Sequence, residues 1–150
     1  MKPPRRRPPS LLTQPAYLAG QVSKYGRRDL EVEVRARGLV LIQHAVLVAL
    51  GDLGPLSQQQ LADSLDFDKS HLVAQLDRLE ERGLVKRTPD PSDRRRNKLV
   101  LTEAGSDLVD ELEPISRRSQ KGLLDSLSAA EQRTLISLLR RVVDANDAAP

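Results

Sequence analysis

The sequence predicts a mainly α-helical protein that carries one small β-hairpin. Three observations support this fold class. Leucines recur at helical spacing through most of the 150 residues, two capping boxes mark helix starts, and segment 84–101 alternates like paired strands around a turn-rich loop. The aromatic share is only 2%, with no Trp, so Leu, Val and Ala must build the core. A chain of this length is expected to form a single domain.

Composition excludes several classes of protein. The chain has no Cys, so disulfides, thiol switches and Cys-based zinc sites are excluded. The longest apolar run, 39–50, is too short to span a bilayer, and no apolar signal core follows the basic N-terminus. We therefore expect a cytoplasmic protein with no membrane partner. The only two histidines, His44 and His71, lie far apart without a carboxylate cluster, so neither a metal site nor a cofactor is expected.

The N-terminal segment 1–10 is rich in Pro and Arg and is predicted to be a flexible basic arm. After it, Tyr17, Leu18, Val22 and Tyr25 recur at helical spacing and predict a first helix. The next stretch is ambiguous, because the apolar residues at 30, 32 and 34 alternate with charges as they would in a strand. We favour a helix there, since no partner strand is evident. Segment 39–50 predicts a buried helix that ends at Gly51 and Gly54.

Two short helices follow. Ser57 and Gln60 form a capping box, which opens a helix with Leu61 facing inward. Asp66-Phe67-Asp68 predicts a turn, and Asp68 is a favourable N-cap for the next helix. In that helix the leucines at 72, 76 and 79 form one core stripe, and Gly83 ends it. Two helices joined by a tight turn indicate a helix-turn-helix.

A β-hairpin is predicted directly after this motif. Residues 84–88 and 98–101 are typical of strands, and the loop PDPSDRRRN joins them. A helix-turn-helix followed at once by a hairpin is a winged helix, so the three consecutive arginines lie on the wing. Arginines alone would indicate no more than a solvated turn, but this position favours contact with DNA.

The C-terminal third predicts two further helices. The first begins near Thr102, and Pro114 is expected to kink or interrupt it. A second capping box, Ser128 to Glu131, opens the last helix, whose apolar residues are expected to face inward: Leu135, Leu138, Leu139 and Val142. The tail from Asp144 onward is expected to fray.

The central fifty residues resemble the MarR family of bacterial transcriptional regulators. The resemblance rests on L-D-R-L-E-x-x-G-L-V-x-R at 76–87, D-R-R at 93–95 in the wing, and L-x-L-T-x-x-G at 99–105. It implies a homodimer that binds a palindromic operator and releases it when a small, often anionic phenolic ligand binds. We therefore predict a single domain at 11–150, with the winged helix-turn-helix at 55–101 and helical dimerisation parts at 11–54 and 102–146. The chain itself supports part of this, because apolar stripes on terminal helices need a partner.

The second helix of the motif is expected to place its N-terminal residues against base edges in the major groove. With the leucine stripe inward, Ala74 and Arg78 point outward and Gln75 lies at the flank. We expect Gln75 to read an adenine edge if it swings out, and Arg78 to contact a phosphate. The contacts predicted from the two helices are Ser57, Gln58, Lys69, Ser70, His71, Gln75 and Arg78.

The wing is expected to enter the minor groove, whose negative potential attracts arginine. By the resemblance, Arg95 is assigned to the minor groove and Arg94 and Arg96 to phosphates, with Lys98 as a weaker phosphate contact. Asp93 is expected to brace the loop by pairing with Arg95 or a neighbour.

Two positions depart from the family pattern. Many relatives carry Arg where this chain has Ala74, so base reading by this helix is expected to be weak and the wing more important. Relatives often carry Ser or Thr where this chain has Val40. We therefore expect the helix after Val40 to begin earlier or to run on from its predecessor.

Other assignments stay open at this point. Tyr17, Tyr25 and His44 are candidates for a ligand cavity, although core packing is the ordinary role for each. The arm can be a free tail, a DNA contact or a segment that packs on a partner subunit. A winged helix used only for protein contact is the alternative function, but an arginine-rich wing lacks the apolar anchors this requires. No phosphate-binding Gly loop or catalytic triad is evident, so an enzyme is not expected.

Overall fold

The computed structural model describes residues 5–149 and confirms a mainly helical chain with one hairpin. A 3-10 turn, Pro9–Leu11, precedes the first helix. The helices are α1 (Pro15–Gly26), α2 (Arg28–Ala36), α3 (Leu41–Leu53), α4 (Gln58–Leu65), α5 (Lys69–Glu81), α6 (Glu103–Leu123) and α7 (Ala129–Asp147). The strands are β1 (Val85–Pro89) and β2 (Asn97–Leu101).

The chain divides into two compact units. Of the described residues, the terminal unit holds 5–27 and 117–149, and the central unit holds Arg28–Ser116. Every buried apolar side chain of the described residues lies between Leu30 and Leu112, so the closed hydrophobic core belongs to the central unit. The predicted winged helix-turn-helix, 55–101, falls wholly within that unit.

The region before the motif confirms one prediction and corrects another. Segment 28–36 is helical, because Leu30 and Val34 lie one turn apart and are both buried. Helix α3 begins directly after Val40, neither earlier nor as a continuation of α2. Val40 offers no side-chain cap, but Gln43 Oε1 accepts from the Val40 backbone N–H at 3.1 Å and satisfies one donor at the helix start.

Helix α3 ends at the second of the two glycines that were predicted to end it. It runs through Gly51 to Leu53 and stops at Gly54, which adopts a φ of 77°. A glycine inside a helix costs roughly 1 kcal/mol. The burial of Leu47 and Leu50 in the same helix outweighs that cost.

The helix-turn-helix forms as predicted. Gln60 N donates to Ser57 Oγ at 3.1 Å, and Ser57 N donates back to Gln60 Oε1 at 2.9 Å. Asp66 turns the chain with a left-handed φ of 51°. The stripe of Leu72, Leu76 and Leu79 is fully buried, and α5 closes before Gly83 at φ 68°.

The hairpin is antiparallel, and its register pairs Val85 with Leu101 and Pro89 with Asn97. Val85 on β1 and Leu99 on β2 are its buried residues. Leu56 adds a short third bridge that the sequence did not reveal, since its N–H and C=O pair with Leu99 at 3.2 and 2.7 Å. This bridge attaches the wing to the start of α4.

The two C-terminal helices require three corrections. Helix α6 runs across Pro114, so the predicted interruption is wrong, while a kink at Pro114 stays a prediction. The second capping box is confirmed, but α7 has no buried residue: Leu138, Leu139 and Val142 are 49%, 46% and 61% exposed. The inward stripe predicted for α7 is therefore wrong within one subunit. The predicted fraying is also wrong, because the helix extends to Asp147; Pro150 lies outside the described residues.

Candidate nucleic-acid interface

The start of α5 is held by Asp68. Its carboxylate accepts from the backbone N–H of Ser70 at 2.9 Å and of His71 at 3.2 Å, and it also accepts from the Ser70 hydroxyl. The hydroxyl bond, followed by the two backbone bonds, holds the pKa of Asp68 below its usual value. The Ser70 hydroxyl proton is therefore engaged by Asp68, and only the lone pairs of the Ser70 oxygen remain available to another group.

An exposed row runs along α5. His71, Ala74 and Arg78 are exposed on one side of the helix, as the predicted helical wheel requires, and Lys69 is exposed at the first position of the helix. Because Ala74 presents only a methyl group, the polar side chains of the row lie at its two ends.

Gln75 does not belong to this exposed row. Its side chain is only 7% exposed, and its Oε1 accepts from Gln43 Nε2 at 2.9 Å. Two-point recognition of adenine needs both a donor and an acceptor from the same amide. Because its oxygen is turned inward to Gln43, Gln75 does not present both its donor and its acceptor to an adenine edge in this conformation.

The wing turn is shaped by two aspartates. Asp90 accepts from Ser92 N at 2.9 Å and from Ser92 Oγ at 2.8 Å, and these bonds, backbone first, lower the pKa of Asp90. Asp93 Oδ1 accepts from Arg95 N at 3.1 Å, and its Oδ2 lies 3.6 Å from Arg96 Nε. Asp93 thus has the geometry expected of a brace, but its hydrogen bond is to the Arg95 backbone. The contribution of Asp90 was missed, although the D-P-S-D spacing signals a turn.

The wing arginines extend into solvent. Arg94, Arg95 and Arg96 are exposed, and the Arg96 side chain is 78% exposed despite its contact with Asp93. Arg94 and Arg95 form no ion pair with any residue in the described range 5–149. Lys98 is less free, since its Nζ lies 4.0 Å from Asp90 Oδ2 and its side chain is 30% exposed. The turn therefore presents three cations at its tip and a fourth, partly neutralised, at its base.

Arg87 links the wing to α5, a contact that the sequence did not predict. From β1 it contacts Asp77 Oδ1 at 3.0 Å and also pairs with Glu80. Both acids lie within the L-D-R-L-E run, so the sequence contained the two acids and the arginine, but nothing in it indicated that they pair. The pairing neutralises carboxylates on the helix that carries the exposed row.

The start of α4 contributes Ser57 and Gln58, which are both partly buried. The Ser57 hydroxyl is occupied as the cap of α4, so only Gln58 keeps a side chain without a local partner among the described residues.

The ligand-cavity candidates fall into different units. In the terminal unit, Arg7 donates to Tyr17 Oη at 2.8 Å, to Gln21 Oε1 at 2.9 Å and to Tyr25 Oη at 2.6 Å. The bond to Tyr17 is the main cause of the raised pKa of Arg7. The predicted flexible arm is thus attached to α1 at Arg7, while residues 1–4 lie outside the described residues. In the central unit His44 is half-buried on α3, and desolvation lowers its pKa.

The terminal unit also contains an apolar groove of about 520 Å³. It is lined by Pro15, Leu18, Ala19, Val22, Ser23, Gly26, Arg27, Gln120, Leu123, Leu135 and Leu139.

Among residues 5–149 no group of three or more His, Asp or Glu side chains is placed to hold a metal ion. No single described helix has the length and apolarity to cross a membrane. Helices α2 and α3 are long and apolar enough only when they are taken together, and the chain bends by 92° between them.

Comparison with known proteins agrees with this geometry. The sequence profile of the MarR family matches residues 41–96, which include α3, the helix-turn-helix and the wing turn. The HTH-type transcriptional repressor NicR of Pseudomonas putida is 37% identical over 109 residues, which cover 73% of this chain and 69% of NicR.

Two solved structures superpose on most of the chain. BpsR of Bordetella bronchiseptica, whose DNA binding is regulated by 6-hydroxynicotinic acid, has a TM-score of 0.80 at 26% identity and covers 92% of this chain and 99% of its own. A mutant of MarR from E. coli, complexed with operator DNA, has a TM-score of 0.75 at 26% identity. The match covers 85% of this chain and 91% of the MarR chain.

Proposed function

The chain belongs to the MarR family of DNA-binding transcription regulators, and from that premise we propose that it is a repressor that binds a palindromic operator as a homodimer. A small anionic phenolic ligand releases it. The matched family and the named repressor point to a regulator rather than to an enzyme.

One observation carries the proposal: three exposed arginines stand on a turn whose backbone is held by Asp90 and Asp93. A cation on a pre-formed turn loses little conformational freedom when it binds. Arg95 enters the minor groove, where the potential is most negative, and Arg94 and Arg96 neutralise the flanking phosphates. Lys98 is a weaker contact because Asp90 already neutralises part of its charge.

The exposed row of α5 lies in the major groove. Lys69 and Arg78 bind phosphates, His71 contacts a base edge or phosphate, and the Ser70 oxygen accepts from a base amino group. Gln58 at the start of α4 adds a contact to the DNA backbone. Ala74 reads at most a thymine methyl group, so the row fixes position more than it specifies sequence.

A second copy of the chain covers the apolar surface of the terminal unit. Leu18, Val22, Ile136, Leu139 and Val143 are each 40–56% exposed, and the apolar groove lies between the helices that carry most of them. A contiguous apolar surface of this kind is unfavourable in water and is typical of an interface. A two-fold pair brings two wings and two α5 helices to the two halves of a palindrome.

The effector is the least defined part of the proposal. The regulation of BpsR by 6-hydroxynicotinic acid supports a small aromatic acid as the class to test first. Tyr17 and Tyr25 are candidate contacts in the terminal unit and His44 in the central unit.

The test is selection of bound sites from random duplex DNA, followed by affinity measurement on the selected site and on a scrambled duplex. We expect an inverted repeat, and an affinity that falls log-linearly between about 50 and 200 mM salt with a slope of roughly 0.9 per phosphate contact. A flat salt response with no enriched site would contradict the proposal and favour a winged helix used for protein contact.

A further inference from the structure

The central unit contains an internal chain of amide hydrogen bonds. Gln43 and Gln75 are the only buried polar side chains among residues 5–149, at 5% and 7% exposure. The Val40 N–H donates to Gln43 Oε1 at 3.1 Å, and Gln43 Nε2 donates to Gln75 Oε1 at 2.9 Å. The chain runs from the backbone at the start of α3 to the middle of α5.

The backbone fixes the direction of this chain. A peptide N–H can only donate, so the Gln43 oxygen must face Val40 and the Gln43 nitrogen must face Gln75. Gln75 must then turn its own oxygen inward, which leaves its Nε2 directed away from Gln43. The orientation of both amides therefore follows from hydrogen-bond chemistry rather than from the similar shapes of their oxygen and nitrogen ends.

The Nε2 group of Gln75 reaches solvent. No side-chain nitrogen or oxygen of the described residues is buried without a hydrogen-bond partner. Gln75 Nε2 has no partner within residues 5–149, so it is accessible at the protein surface. Gln75 lies one turn from His71 and from Arg78, two members of the exposed row of α5.

We propose that Gln75 is a specificity-determining residue that presents only donors to a base edge, and that Gln43 is the positioning residue that locks it in this state. The proposal rests on the proposed operator-binding function. Guanine offers two adjacent acceptors, O6 and N7, to such an amino group, whereas adenine offers only N7 and places its own N6 amino group where guanine has the second acceptor. The locked amide therefore favours guanine over adenine, contrary to the adenine reading predicted from a free glutamine.

The buried pair is poorly explained by stability alone. Replacing both partners of a buried hydrogen bond by apolar groups of similar shape is often nearly neutral, whereas removing one leaves a buried polar group unsatisfied. A directional bond at Gln75 also fixes the rotation of α5 about its axis, which the non-directional packing of its leucines leaves less defined. Because Ala74 beside it has no polar side-chain atom, the proposal assigns base reading in the middle of α5 to Gln75 Nε2.

The experiment measures affinity for the selected operator and for every single base-pair substitution in one half-site. The proteins are the wild-type chain, Gln75→Met, Gln43→Met and the double variant. Gln59→Met is the matched control, because Gln59 is exposed and pairs only with Asp63 on its own helix. Thermal unfolding and light scattering check that each protein is folded with the wild-type oligomeric state.

For the wild type we expect one base pair per half-site at which guanine is preferred over adenine by roughly three- to tenfold, the scale of one hydrogen bond. Gln75→Met should abolish that preference while changing affinity for a scrambled duplex less than about twofold. In Gln43→Met the freed amide can rotate, so the guanine preference at the same pair should shift towards adenine. The double variant replaces both glutamines by apolar side chains, so it should fold and show the same base preferences as Gln75→Met.

The proposal is overturned if Gln75→Met or the folded double variant keeps the wild-type profile at every position. It is also overturned if these variants weaken operator and scrambled duplex equally, since that result indicates a phosphate contact. Failure of the proposed function looks different: the wild type itself would then show no preference for any base pair, and both proposals would be rejected together.

Discussion

Gly105 lies directly against the backbone of Leu84, where the start of α6 crosses the beginning of the wing. A Cβ at Gly105 would stand 2.2 Å from the Leu84 carbonyl oxygen and 2.9 Å from Leu101 Cδ1. Thr102 strengthens the same junction, since its hydroxyl donates to Gly83 O at 2.7 Å and accepts from Gly105 N at 3.1 Å. Only a residue without a side chain permits this approach.

Gly105→Ala should therefore destabilise the protein by about 1–3 kcal/mol, the usual cost of forcing a methyl group into a packed site. Gly122→Ala in the same helix is the matched control, because nothing lies within 4 Å of its Cβ position. The control should be neutral or more stable by up to about 1 kcal/mol. Equal unfolding free energies for the two variants in urea would contradict the close contact.

Arg95→Ala should weaken operator binding by about 1–3 kcal/mol and leave the oligomeric state unchanged. Loss of this cation should also reduce the slope of log affinity against log salt concentration by roughly one. Arg133→Ala is the control, since Arg133 is exposed on α7 and away from the wing in sequence. Fluorescence anisotropy over a salt series measures both effects, and an unchanged affinity for Arg95→Ala would remove the wing from the proposed interface.

Asp93→Ala distinguishes two roles of Asp93 by whether operator binding becomes stronger or weaker. If Asp93 only repelled phosphates, its removal would strengthen binding. Because Asp93 accepts from Arg95 N and lies near Arg96, we expect the opposite, a loss of roughly three- to tenfold as the turn loosens. Asp93→Asn keeps an acceptor for Arg95 N and should lose less. Tighter operator binding by Asp93→Ala would disprove the bracing role.

Leu139→Asp should abolish the dimer. Leu139 lines the apolar groove of the terminal unit and is 46% exposed in a single subunit, so a carboxylate there would be desolvated when a second copy binds. Val73→Asp is the control, because Val73 is a 37% exposed apolar residue of α5, outside the predicted dimerisation parts. Light scattering that finds a Leu139→Asp dimer as stable as the control would reject this interface.

His44 predicts a pH dependence of stability. Desolvation lowers its pKa in the folded chain, so the unfolded chain binds the proton more tightly. Stability from this residue is complete above the ordinary histidine pKa of about 6.5 and falls as the pH drops towards the folded value. The difference in unfolding free energy between wild type and His44→Gln should therefore shrink or reverse on acidification. Parallel pH profiles for the two proteins would show that His44 does not contribute.

The sequence predicted the elements whose signals are local. The capping boxes at Ser57 and Ser128 and the cap at Asp68 each involve residues within one helical turn, and all three were correct. The leucine stripe of α5 was also correct, because a buried face leaves a clear 3.6-residue period.

The errors arise where the outcome depends on a distant part of the chain. Periodicity shows that α7 has an apolar face but not what covers it, so the inward assignment of Leu139 was wrong for one subunit. Gln75 lies on the flank of a helical wheel, and only the position of Gln43, 32 residues earlier, determines that its oxygen faces inward. The bridge between Leu56 and Leu99 likewise joins segments that no local pattern connects.

The contact of Arg87 with Asp77 and Glu80 has an electrostatic consequence for α5. The arginine acts as an internal counterion for two carboxylates of α5. A neutral residue at this strand position would remove one positive charge and leave both acids without this partner, so the surface of the helix would become more negative. The wing strand therefore sets part of the charge carried by the neighbouring helix.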